Sequence, residues 1–170
     1  MRVLAYDNRA VDPESTRFGS IAINYASLRH LIVEVQASDG TGERNTNFAF
    51  QLKDIVDDIL LEVITPETSG STKTISIGLA TSEGGVVNGF ANGLSVAAAG
   101  VIPLSRANGA VTAGAYLNET IGSGVVGPKP YVIGSAAPNA RTLVYQFGSA
   151  FSQLYAKIHV FYRRLEGDRA

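Results

Sequence analysis

The sequence predicts an all-β chain: an antiparallel β-sandwich of jelly-roll-like type with an extended N-terminal arm. Three observations carry that prediction. Apolar and polar residues alternate in short runs, most cleanly in Thr74-Ile75-Ser76-Ile77-Gly78-Leu79, where Ile75, Ile77 and Leu79 share one face. Clusters of turn formers, such as Thr65-Pro66-Glu67-Thr68-Ser69-Gly70-Ser71-Thr72, separate the runs, as hairpin connections do. Glycine occurs 18 times in 170 residues, a frequency that disfavours long helices.

In chain order, residues 1–20 are polar and charged, and Asp12-Pro13-Glu14-Ser15-Thr16 breaks any period. They read as a frayed terminus or as an arm that orders on a neighbouring subunit. The organisation expected is an arm over 1–20 and a single β-sandwich domain over 21–170. Ile21, Ile23 and Tyr25 alternate with Ala22 and Asn24, and Leu31, Val33 and Val35 alternate with Ile32, Glu34 and Gln36. Ala26–His30 reads as a short connection between those strands. Ser38-Asp39-Gly40-Thr41-Gly42 is a turn, and Asn47–Leu52 reads as a strand with Phe48, Phe50 and Leu52 in phase.

Residues 52–63 fit two templates. Leu52, Ile55, Val56, Ile59, Leu60 and Val63 would line one face of a helix, but Leu61 and Ile64 would then lie on its polar side. A strand over Ile55–Ile64, buried on most of both faces, is the better fit, followed by the turn and a strand over Lys73–Ala80. Gly84, Gly85, Gly89 and Gly93 argue against a long regular element, so Asn88–Val96 reads as a loop with a short helical turn. In it Phe90 and Leu94 plug one end of the core. Val101-Ile102-Pro103-Leu104 is an edge segment, because proline cannot donate into a ladder. Ala110–Leu117 reads as a strand, Ser123–Pro130 as a Gly/Pro loop and Tyr131–Ile133 as a short strand. Arg141–Gly148 follows, and Gln153–Leu165 is the last strand, with Leu154, Ala156, Ile158, Val160 and Tyr162 on one side.

The bulk numbers bound the function. The length suits one domain able to bury a core without disulfides, and the absence of cysteine removes thiol catalysis and Cys-based zinc sites. A net charge of −1 and a pI near 6.1 give no global field toward nucleic acid or anionic membranes. Charged residues make up 17% against 45% hydrophobic, a surface suited to contact with other subunits. The first twenty residues hold no apolar core of signal-peptide length, and no run approaches the ~20 apolar residues that span a bilayer. The expectation is a soluble chain not exported by the usual route.

No enzyme motif stands out. His30 and His159 are the only imidazoles, and neither has a carboxylate or nucleophile at motif spacing. A metal pair would require them to converge in space, and a packed or solvent-facing His159 is the simpler reading. Asp54, Asp57, Asp58 and Glu62 lack the ligand order of a calcium loop and read as exposed turn and strand-edge charges that deter aggregation. Asn88-Gly89-Phe90-Ala91-Asn92-Gly93 lacks the GK[ST] ending of a phosphate loop. Gly122-Ser123-Gly124 lacks the strand–turn–helix setting of a nucleophile elbow. Arg163-Arg164 is too small a basic group for a nucleic-acid footprint. The reading is therefore no enzyme, with no catalytic, cofactor-binding or metal residue and no cofactor.

Ile55–Val63, Gly70–Leu79, Asn88–Val96 and Ala97–Val101, with Leu143–Phe147 and Lys157–Leu165, together resemble small β-sandwich structural proteins of tailed bacteriophages. Where those proteins often carry an acidic DGFLxG-type segment, this chain has Asn88 for the acid and Ala91 for the large apolar residue. The resemblance implies a virion component, a capsid decoration (cement) protein that clamps the major capsid protein shell. It further implies a homotrimer on the capsid surface, made in the host cytoplasm; the charge balance adds the expectation of neither nucleic acid nor membrane as a partner. The contact expected runs through Val3–Arg17 and exposed loops. The alternative is a receptor- or carbohydrate-binding virion module of tail-fibre type, although without Trp its stacking surface would be poor.

Overall fold

The computed structural model describes residues 3–7, 26–104, 114–121, 125–135 and 139–165. In chain order their strands are β1 (Val3–Asp7), β2 (Ala26–Gln36), β3 (Arg44–Ala49), β4 (Ile55–Thr65), β5 (Thr74–Leu79) and β6 (Ala91–Ser95). There follow β7 (Gly100–Pro103), β8 (Asn118–Ile121), β9 (Val125–Pro128), β10 (Tyr131–Val132), β11 (Thr142–Phe147) and β12 (Tyr155–Leu165). The only helical turns among the described residues are 3-10 turns at Ala37–Asp39 and Thr81–Glu83.

Two antiparallel sheets pack face to face, as predicted. One runs β1-β2-β12-β4-β10, with β7 also paired to β4; the other runs β3-β11-β5-β6. A separate ribbon joins β8 to β9. At the centre of the larger sheet β12 pairs with β2 along its whole length, from Tyr155 opposite Gln36 to Leu165 opposite Ala26. Its other edge pairs with β4, with register breaks after Tyr155 and after Phe161. Period-2 alternation turns Leu31, Val33, Val35, Ile59, Leu61, Val63, Ala156, Ile158 and Val160 into the core, where each large aliphatic side chain contributes about 1.5–3 kcal/mol of burial. Ile75, Ile77, Leu79, Leu94, Leu143, Tyr145 and Phe147 meet them from the smaller sheet.

Aromatic rings close one end of the sandwich. Phe50 lies edge-on to Phe48, Tyr162 and Phe90, with centroids 4.9, 5.5 and 6.5 Å away. Phe90 in turn meets Tyr116 and Tyr131 edge-on, and those two rings stack at 4.2 Å. Edge-to-face placement suits the ring quadrupoles. Phe90 and Leu94 are fully buried, in the core-plugging role expected of them.

Several expectations need correction. Ala26–His30 is strand, not connection, because the pairing with β12 continues out to Leu165. The first aromatic strand ends at Ala49; Leu52 is exposed, because the chain turns at Lys53, whose φ is 68°. Asn88–Val96 contains β6 rather than a helical turn. Its backbone lies against β5, with Phe90 N–H donating to Ile77 O at 2.9 Å and Leu79 N–H to Val86 O at 3.1 Å. Glycine makes this approach possible: a Cβ on Gly78 would collide with the Val86 carbonyl. In Ala110–Leu117 residues 110–113 fall outside the described residues. Residues 115–117 form a turn, with Leu117 N–H bonded to Gly114 O at 3.2 Å. Ser123–Pro130 holds β9, because Val125–Pro128 pairs with β8. The strand expected over Ile21–Tyr25 and the Gly122-Ser123-Gly124 motif lie outside the described residues.

Candidate functional site

The outer face of the larger sheet gathers chemistry that the sequence keeps far apart. Alternation sends Leu28, His30, Ile32 and Glu34 of β2 outward. The same parity sends Lys157, His159, Phe161 and Arg163 of β12, and Asp58, Leu60 and Glu62 of β4, to that face. Pairing then sets Phe161 opposite His30 on one side and opposite Asp58 on the other.

His30 Nε2 lies 3.1 Å from His159 Nδ1, and His159 Nε2 lies 3.1 Å from Glu62 Oε2. The rings are supported from below. His30 stacks on Phe161 at 4.5 Å and 7°, and on His159 at 5.2 Å and 19°. Burial, and then the neighbouring His159, hold His30 below the ordinary histidine value. The expectation of a packed, strand-borne His159 is met, while the convergence of the two imidazoles was not visible in sequence. They are 129 residues apart; the only sequence signal is that both fall in phase with the polar faces of their strands. Among the described residues, no group of three His, Cys, Asp or Glu is arranged to hold a metal ion.

The acidic set divides. Asp54 is 1% exposed, not an exposed edge charge: Arg164 grips it with two bonds, Nη2 to Oδ2 at 2.7 Å and Nε to Oδ1 at 2.9 Å. It also accepts the Gln51 N–H at 2.8 Å. Asp57 pairs in the same forked way with Arg163 at 2.7 and 2.8 Å, and Asp58 accepts the Ile59 N–H. The two arginines read as a small basic group are thus committed to carboxylates.

Two further carboxylates clamp loops. Glu67 is fully buried and accepts the N–H groups of Ser69, Ser152 and Gln153 at 2.8, 2.8 and 3.1 Å, with the Ser69 hydroxyl at 2.6 Å. Burial alone would raise its carboxyl, but these bonds outweigh burial and hold it well below the ordinary carboxylate range. Glu83 likewise accepts Arg141 N–H, Thr142 N–H and the Thr142 hydroxyl at 2.7, 2.9 and 2.6 Å. Burial opposes ionisation there too, and the hydrogen bonds again win. These groups hold loops together.

Two shallow depressions mark the surface. One is lined by Gln36, Ala37, Ser38, Ser152, Gln153 and Tyr155, among others; the other lies beside Asn88, Asn92 and Tyr116. No ionisable residue other than tyrosine lines either. Val3–Asp7, the first part of the expected contact arm, is β1, paired with β2 from Val3 opposite Val33 to Asp7 opposite Arg29. The remainder of Val3–Arg17 lies outside the described residues.

The fold and this face define a two-sheet antiparallel β-sandwich whose outer sheet surface mixes charged residues with exposed apolar ones. No protein-family model matches the chain, and no curated protein matches it. Among solved structures it is similar to a chain of the acidic stable capsid structure of Helicobacter pylori bacteriophage KHP30. That chain is 16% identical, with 97% of this chain and 95% of that one covered and a TM-score of 0.46. It is also similar to a chain of the cyanophage Pam1 capsid asymmetric unit, 12% identical, covering 91% and 98%, with a TM-score of 0.44. A likeness at this level carries no argument about function.

Proposed function

We propose that the chain is a non-enzymatic structural protein of a phage virion, a capsid decoration protein that binds the outer surface of the major capsid protein shell and stabilises the head. One observation of the molecule carries this reading. Leu28, Ile64 and Val101 stand 55%, 41% and 60% exposed on a single sheet face, beside the half-buried Ile32, Leu60 and Phe161. Exposed apolar side chains set among charged ones on one sheet face are suited to a protein partner. The sequence resemblance to phage β-sandwich proteins supports the choice of partner. A protein bound only to the assembled shell stabilises it by mass action, which requires no bond-making residue.

The test is co-sedimentation with capsids stripped of this protein. The wild-type chain should pellet with them and raise their resistance to heat, and the double variant Ile64→Lys/Val101→Glu should do neither while keeping its fold. Binding of the chain to cells or glycans with no affinity for capsids would overturn the reading in favour of a receptor-binding module. Unchanged capsid binding by the double variant would remove the outer sheet face from the contact.

A further inference from the structure

We propose that Glu62, His159 and His30 form a one-proton site across β4, β12 and β2, and that a second proton breaks the bond joining the two imidazoles. The hydrogen-bond line fixes the starting state. An ionised carboxylate only accepts, so His159 must present Nε2–H to Glu62 and offer Nδ1 as a lone pair. His30 then donates Nε2–H into that lone pair across the 3.1 Å gap, which leaves His30 Nδ1 as the one ring nitrogen in the line able to take a proton.

The first proton enters at His30 Nδ1 and disturbs nothing. The cation still donates from Nε2, and the charge is shared along the line toward Glu62. With Glu62 still ionised, the ring nitrogen left for a second proton is His159 Nδ1, and two N–H groups would then face each other at 3.1 Å between two cations. That contact is repulsive, so the rings part. The two steps belong to the pair rather than to either ring.

The surroundings allow the first step and do not relieve the second. From β2, Glu34 faces the pair; from β12, Lys157 and Arg163; from β4, Glu62, Asp57 and Asp58. Arg163 is committed to Asp57, and Lys157 stands in register between Glu34 and Glu62. β1 brings Tyr6 opposite His30, and β7 brings Val101 opposite Glu62 and Pro103 opposite Leu60. The site is open to solvent protons, with the His159 side chain 18% and the Glu62 side chain 39% exposed.

The test is a histidine ring titration of the full ¹⁵N-labelled chain by long-range proton–nitrogen NMR, from neutral to acidic pH. At neutral pH both rings should be single Nε2–H tautomers, with a nitrogen–nitrogen coupling carried across the His30–His159 hydrogen bond. That coupling should survive the first protonation step and vanish at a separate, more acidic second step. In Glu62→Gln, whose amide can donate or accept, the His159 tautomer should become mixed. Independent titration of the two rings with no coupling would overturn the proposal, as would an unchanged His159 tautomer in Glu62→Gln.

Discussion

Arg164 and Asp54 meet through a forked pair of charge-assisted hydrogen bonds, with the arginine side chain 17% and the aspartate 1% exposed. The pair fastens the end of β12 to the turn that starts β4. One position away along β12, Arg163 holds Asp57 in the same geometry but at 40% and 27% exposure. The forks match in chemistry and bond length, but the inner pair is buried and its Asp54 also accepts the Gln51 N–H. Removing one partner of a buried pair strands a desolvated charge, whereas a solvated pair contributes little. Arg164→Met should therefore cost on the order of 3 kcal/mol and Arg163→Met about 0–1 kcal/mol. Urea unfolding of the two variants checks this, and equal losses would show that burial does not set the difference.

The carboxylate clamps make a prediction for acid. Glu67 and Glu83 are both held below the ordinary value of 4.5 in the folded chain. In acid the unfolded chain then binds protons that the folded chain refuses, so stability falls as pH drops. The contribution is complete above about pH 4.5 and is lost progressively below it. Glu67→Gln and Glu83→Gln should each be less stable at neutral pH and show a flatter decline in acid, because the residue that carries the linkage is gone. Urea midpoints measured across the acid range decide it; a slope unchanged from wild type would show that the clamp is not titrating.

How far the fold could be read in advance followed from what each strand buries. β4, β5 and β12 were legible because one face packs into the core and stamps a period of two on the sequence, and β11 because Leu143, Tyr145 and Phe147 alternate although it is buried on both faces. β6 and β9 were not: Ala91–Ser95 is interrupted by Gly93 and Val125–Pro128 ends in Gly127-Pro128, and backbone pairing to β5 and β8 rather than a side-chain period defines them. Ala26–His30 was misread because nothing local shows that the far end of β12 pairs with it. The polar contacts were hidden for the same reason. Asp54 and Arg164 are 110 residues apart, and His30 meets His159 only because β2 and β12 are neighbours.

Gly78 makes a steric prediction. Its φ is not in the left-handed region, so the demand is for space: a Cβ there would meet the Val86 carbonyl and the backbone of Val87. Backbone cannot swing aside as a side-chain tip can. Gly78→Ala should push the 86–90 segment off β5 and cost about 1–3 kcal/mol, the range for overpacking. Gly42→Ala is the control, since its Cβ would meet nothing within 4 Å and should change stability by less than about 0.5 kcal/mol. Thermal or urea unfolding of the pair separates them, and equal stabilities would mean that the segment yields freely.

Alkali should act through the phenols. Burial raises Tyr145, and the hydrogen bond it donates to Asp39 at 2.7 Å raises it further. Burial likewise raises Tyr116 and Tyr162 above the usual 10.0. For an acid with a raised folded value, the unfolded chain releases its proton first, so stability is intact below pH 10.0 and declines as pH climbs past it. Phenolate absorbance from these three rings should thus appear together with unfolding rather than before it. Tyr145→Phe keeps the ring in the core and removes the hydroxyl, which should cost about 1 kcal/mol at neutral pH and make the alkaline decline shallower. Because the ring stays, a loss at neutral pH without that change in slope would mean that packing, not the Tyr145 proton, couples this core to pH.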